Sequence, residues 1–157
     1  MKPKLLVLLI FVTTLSYGQR HDSTIAMQST RAQSVYGELG ANGIVFSANY
    51  DVRFGNSQKG LGLRIGIGGL ATYLTVPIAI NHLSGKAPNY FEGGFGITYV
   101  TDAEATSDHG TAFVFSAGYR YQPLKNGFTA RVVVSPFVAT NGEGFFFYGG
   151  VSFGYKF

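Results

Sequence analysis

The sequence predicts an all-β fold, an eight-stranded antiparallel up-and-down transmembrane β-barrel. Three observations predict it. The chain closes on an alternating run in which Phe147, Gly149, Val151, Phe153, Tyr155 and Phe157 share one face, while Tyr148, Gly150, Ser152, Gly154 and Lys156 share the other. A two-residue period is the signature of a strand. Eight such segments follow one another, each of roughly the 8 to 12 residues that cross a bilayer at a tilt. The charges within them fall on one parity, and aliphatic and aromatic side chains fall on the other.

Residues 1–18 read as a secretory signal peptide. Lys2 and Lys4 make a basic start, residues 5–12 an apolar core, and Ser16 and Gly18 are small residues placed for cleavage after Gly18. Cleavage lowers the formal charge from +4 to +2, because residues 1–18 hold two lysines and no acid. Residues 19–33 are polar and mixed, a flexible periplasmic lead-in. The barrel domain is expected over 34–157.

The first strand is expected over 34–41, with Glu38 on the face opposite Val35 and Leu39. Asn42 and Gly43 form a tight-turn pair, since both tolerate positive φ. The second strand, 44–54, sets Phe46, Ala48, Tyr50, Val52 and Phe54 against Ser47, Asn49, Asp51 and Arg53. Residues 55–60 turn the chain. The third strand, 61–69, alternates Leu61, Leu63, Ile65 and Ile67 with Gly62, Arg64, Gly66 and Gly68. The fourth, 72–82, puts Leu74, Val76, Ile78 and Ile80 outward and Thr75, Pro77, Ala79 and Asn81 inward. Pro77 lacks the N–H of a ladder position and predicts a bulge or a local break. Residues 82–89, rich in Ser, Gly, Lys, Pro and Asn, read as a turn.

The fifth strand, 90–100, opposes Phe91, Phe95, Ile97 and Tyr99 to Glu92, Gly94, Gly96 and Thr98. Residues 101–110 are the longest polar loop. The sixth, 111–122, opposes Phe113, Phe115, Ala117, Tyr119 and Tyr121 to Ser116, Gly118, Arg120 and Gln122. After a turn at 123–127, the seventh strand, 128–138, places Ala130, Val132, Val134 and Pro136 outside and Thr129, Arg131, Val133 and Ser135 inside. Residues 139–144 form a loop, and the eighth strand is the terminal run. Closing an even number of strands removes every unpaired edge, which hydrocarbon does not tolerate. Both termini then lie on the periplasmic side. The loops near 42–43, 69–71, 101–110 and 139–144 face outward, and the turns at 55–60, 82–89 and 123–127 face the periplasm.

Glu38, Asp51, Arg53, Arg64, Glu92, Arg120, Arg131 and Lys156 all take the parity that faces away from lipid. A basic charge on the lipid face at the bilayer midplane costs about 2–4 kcal/mol, so the shared parity is informative. Eight strands enclose little more than their own side chains. The three acids and five bases are therefore expected to fill the lumen as a network of charge pairs, in which guanidinium groups bring several donors in a fixed fork. A wide diffusion pore is not expected, and a narrow one stays open as an alternative. Val114, Val133 and Phe137 interrupt this polar face. Tyr50, Phe54, Phe91, Tyr99, Tyr119, Tyr121, Phe128, Phe153, Tyr155 and Phe157 fall on the outer face or near strand ends, as two interfacial girdles require.

Four stretches carry a family resemblance: residues 76–86 (Val-Pro-Ile-Ala-Ile-Asn-His-Leu-Ser-Gly-Lys), 90–96 (Tyr-Phe-Glu-Gly-Gly-Phe-Gly), 118–123 (Gly-Tyr-Arg-Tyr-Gln-Pro) and 151–157 (Val-Ser-Phe-Gly-Tyr-Lys-Phe). Over 34–157 the chain resembles the small outer-membrane β-barrel proteins common in the Bacteroidota. The resemblance implies the outer membrane of a Gram-negative bacterium. It also implies that Tyr155 and Phe157 belong to the C-terminal signal read by the barrel-insertion machinery.

No catalytic, cofactor or metal site is expected. The chain has no cysteine, so it has neither a disulfide framework nor a lipidated N-terminal Cys. It has no Lys/Arg stripe suited to nucleic acid. Ser107, Asp108 and His109 have triad residue types, but neighbours in one loop are a poor way to build a triad. His82, beside Ser84, suits an interfacial or turn role, and His21 belongs to the lead-in. Asp102, Glu104 and Asp108 match no defined metal loop. Residues 84–86 lack the glycine-rich lead of a phosphate loop. The expected function is an integral outer-membrane barrel with a structural or surface-interaction role. Its partners would be outer-membrane lipids, the insertion machinery and periplasmic chaperones during transit. The alternatives are a narrow channel for small solutes or ions, a lipid-modifying outer-membrane enzyme and a soluble ligand-binding barrel.

Overall fold

The structure, a computed structural model, describes residues 31–102, 109–140 and 144–157. The expected signal peptide and residues 19–30 of the lead-in lie outside the described residues. Eight strands follow in chain order: β1 (Gln33–Gly40), β2 (Phe46–Arg53), β3 (Gly60–Leu70), β4 (Tyr73–Lys86), β5 (Asn89–Asp102), β6 (His109–Tyr121), β7 (Gly127–Ala139) and β8 (Phe145–Lys156). Each pairs antiparallel with the next, and β8 returns to β1, so the sheet is a closed barrel. The closing seam runs in register from Ser34 opposite Lys156 to Gly40 opposite Gly150.

The alternation sorts side chains as the sequence requires, but with the apolar face outward. Phe91 is 60% exposed and Ile67 58%, whereas Arg64 and Glu92, on the opposite parity, are fully buried. A water-soluble sheet protein does the reverse. Inward glycines make room for the long polar side chains. At Gly62 a Cβ would collide with the Arg53 guanidinium, and at Gly94 with Ser116 Oγ.

Two expectations need correction. Asn42 and Gly43 do not form a tight outward turn. Ala41–Gly43 is a short 3₁₀ turn folded into the barrel mouth, with all three residues buried, and β2 starts only at Phe46. Residues 82–89 are mostly strand. β4 runs to Lys86 and β5 starts at Asn89, which leaves only Ala87 and Pro88 to turn. Pro77 makes the local break, one of its two expected outcomes, and no bulge. The β3–β4 ladder lapses between Ile65–Ile78 and Gly68–Thr75, then resumes in the same register. The β6–β7 ladder lapses likewise beside Pro136, between Val114–Phe137 and Ala117–Val134. In both places proline has no N–H to offer the neighbouring strand.

Candidate functional site

The alternation of the strands delivers Glu38 from β1, Asp51 and Arg53 from β2, Arg64 from β3, Glu92 from β5, Arg120 from β6 and Arg131 from β7 to the barrel interior, each at most 3% exposed. Asp51 is one centre. Its Oδ1 accepts from Arg53 Nη2. Its Oδ2 accepts from Arg64 Nη2 at 3.3 Å, Arg120 Nη2 at 3.2 Å and Asn81 Nδ2 at 2.6 Å. Glu92 is the second centre. It pairs with Arg64 Nη2, and lies 2.7 Å from Arg120 Nε and 3.1 Å from Arg131 Nε. Glu38 is the third, held by Arg131 Nη1, by Ser152 Oγ at 3.1 Å and by the Gly43 backbone N–H at 3.3 Å.

Charges in a buried interior persist only when paired. Four guanidiniums against three carboxylates leave this cluster one positive charge in excess. Tyr36 sits among them and offsets part of it. The guanidinium carbons of Arg64, Arg120 and Arg131 lie 5.5, 5.8 and 5.7 Å from its ring centroid. That is within cation–π range of the electron-rich ring.

Two further layers close the barrel. At the mouth beyond the cluster, the inward turn is tied to three strands. Thr98 Oγ1 donates to Asn42 O at 2.7 Å, Thr75 Oγ1 donates to Gly43 O at 3.2 Å, and Ser135 Oγ donates to Asn42 Oδ1 at 3.2 Å. At the end where β1 begins and β8 finishes, Gln122 Nε2 reaches Gln58 O and Oε1, both at 3.3 Å. Lys156 belongs to this end and does not join the charge cluster. Its Nζ donates to Pro123 O at 3.2 Å, Leu124 O at 2.6 Å and Lys125 O at 3.1 Å, capping the β6–β7 turn. Leu83, Val114, Val133 and Phe137 are buried on the same inward parity and add apolar side chains to this interior.

Sequence reasoning missed the part played by Tyr36, Asn81 and Ser152 in the cluster, and the 3₁₀ turn above it. All three side chains share the inward parity, which was the available signal. The other singled-out residues do not converge. His82 lies within β4 on the outer wall, opposite Leu61 and Gly93, and not in a turn. His109 heads β6 and stacks on Tyr99 with 6.4 Å between ring centroids. Its sequence neighbours Ser107 and Asp108 lie outside the described residues, as do Glu104 and His21. Among the described residues no group of three or more His, Cys, Asp or Glu is placed to hold a metal ion. Tyr155 and Phe157 point outward, about half exposed.

The fold is similar to that of the N-terminal β-barrel domain of Pseudomonas aeruginosa OprF, with a TM-score of 0.58 at 14% sequence identity, over 83% of this chain and 98% of that domain. At that identity the likeness is one of fold. No protein-family model matches the chain, and no curated protein matches it in sequence.

Proposed function

We propose that this protein is an integral outer-membrane barrel with a sealed interior and a structural or surface-interaction role, without chemistry of its own. The observation that carries this reading is the charge cluster itself. It joins β1, β2, β3, β5, β6 and β7 across the lumen, and its central residues Arg64 and Glu92 have no exposed surface. A solute path needs an open lumen, and this network ties opposite walls together across it. The apolar outer wall supports hydrocarbon as the surrounding solvent.

The finer parts of the reading belong with it. The chain ends and the short connections at Ala87–Pro88 and 122–126 face the periplasm of a Gram-negative cell, as short turns do in such barrels. The four stretches quoted above support kinship with the small outer-membrane barrels of the Bacteroidota. Tyr155 and Phe157, exposed on the closing strand, are contacts for the insertion machinery. Periplasmic chaperones cover the apolar wall in transit.

Purified protein inserted into planar lipid bilayers tests the sealed interior. The expected record is silent insertion. Discrete conductance steps from monodisperse protein would overturn the sealed reading and put a narrow channel in its place.

A further inference from the structure

The outer wall is not evenly thick. β1 and β2 have 8 residues each, against 11 to 14 in the other strands. A strand crossing hydrocarbon at a tilt needs about 9–11. The same side carries a depression of about 730 Å³. Two cross-strand rows build it. Nearer the chain ends, Tyr155, Val35, Tyr50 and Ile65 lie side by side on β8, β1, β2 and β3. The next row is Phe153, Gly37, Ala48 and Ile67. Gly37 and Ala48 are the floor, and Phe153 and Ile67 are the walls. Both floor residues face outward.

The depression is apolar along its length and polar at one end. Tyr50 and Tyr155 lie in the row nearer the chain ends, and the Tyr50 hydroxyl donates to Gln33 Oε1 at 2.5 Å. Exposed Arg31, whose Nη2 donates to Phe54 O at 3.2 Å, brings a positive charge to the same end of the barrel. Tyrosine hydroxyls and a cation beside an apolar trough match an acyl chain that ends in an anionic headgroup.

We propose that the β8–β1–β2–β3 face holds one glycerophospholipid, an acyl chain lying over Gly37 and Ala48 and its phosphate at the Tyr50, Tyr155 and Arg31 end. This rests on the membrane reading above and adds a specific lipid site to it. The bound lipid covers the side of the barrel with the two shortest strands.

The test is native mass spectrometry of the full chain, extracted from membranes in mild detergent and incubated with phosphatidylglycerol. Gly37→Leu fills the trough. A Cβ at this position meets only Phe46 Cε2, at 3.9 Å, so the backbone accepts it. Ala48→Leu is the second variant, and Val132→Leu on β7 is the control. Heat-modifiable gel mobility establishes that each has folded. The wild type and Val132→Leu are expected to retain one phospholipid that Gly37→Leu and Ala48→Leu lose. Equal retention in all four, or a wild type free of lipid, would overturn the site. So would a wild-type dimer that Gly37→Leu dissociates, which would make a second copy of the chain the occupant. Recovery of the chain in the soluble fraction without detergent would instead overturn the membrane reading itself.

Discussion

Asp51 and Glu92 each face three guanidiniums, and that ratio makes them the most sensitive side chains in the molecule. Removing the Glu92 carboxylate leaves Arg64 and Arg120 sharing Asp51 and Arg131 with Glu38 alone, three buried guanidiniums each short of a partner. Loss of one partner from a buried pair costs about 3–5 kcal/mol. Glu92→Gln is therefore expected to destabilise the folded barrel by that order, read as a lower urea midpoint in refolding from lipid vesicles. An unchanged midpoint would mean the cluster contributes little. The parity of the sequence placed Glu38, Asp51, Arg53, Arg64, Glu92, Arg120 and Arg131 inside. It could not separate Lys156 from them, because parity reports a face and not a depth. Lys156 pairs with Ser34 and Gly127 at the rim, two inward positions beyond the Ser152 that meets Glu38 and Arg131. Tyr36 was hidden for the opposite reason. An uncharged ring gives no sign in sequence that three cations surround it.

At the scale of elements, the strands and most connections were legible, and the turns at 41–43 and 87–88 were not. Alternation is local, so each strand announced itself within a few residues. The turn at Ala41–Gly43 is set by partners 32, 56 and 93 residues away in Thr75, Thr98 and Ser135, and no local pattern reports those. Asn42 and Gly43 carry the composition of an ordinary hairpin turn, so the inward fold went unread. The misreading of residues 82–89 has a different cause. Exposed His82, Ser84 and Lys86 are polar on the outward face of β4. They lie on a strand that continues to Lys86, where outward polarity does not mean a turn. The inward turn yields its own expectation. Thr98→Val removes the donor to Asn42 O and strands a buried carbonyl, a loss of about 1–3 kcal/mol. The same urea assay reads it. Bilayer recordings of this variant are expected to stay silent, since the charge cluster beneath remains. Conductance steps would show that the turn alone closes the barrel.

The whole molecule reverses the usual order of polarity, with ionic groups at the centre and aliphatic and aromatic side chains facing out. Closure from β8 to β1 pairs every strand edge, and the lumen pairs the charges of the cluster with one another, so little besides apolar surface is left along the wall. The thin β1–β2 side is where this arrangement departs from uniformity, and it coincides with the lipid-sized trough. Because the chain has no native cysteine, single nitroxide labels can be placed without interference. The most direct measurement compares oxygen and water-soluble nickel-chelate accessibility at Ile65→Cys, Phe95→Cys and Val132→Cys in lipid vesicles, with Lys125→Cys in the β6–β7 turn as the aqueous reference. High oxygen and low nickel accessibility at the three wall positions is the predicted result. Nickel accessibility there equal to that at Lys125→Cys would contradict the inside-out barrel.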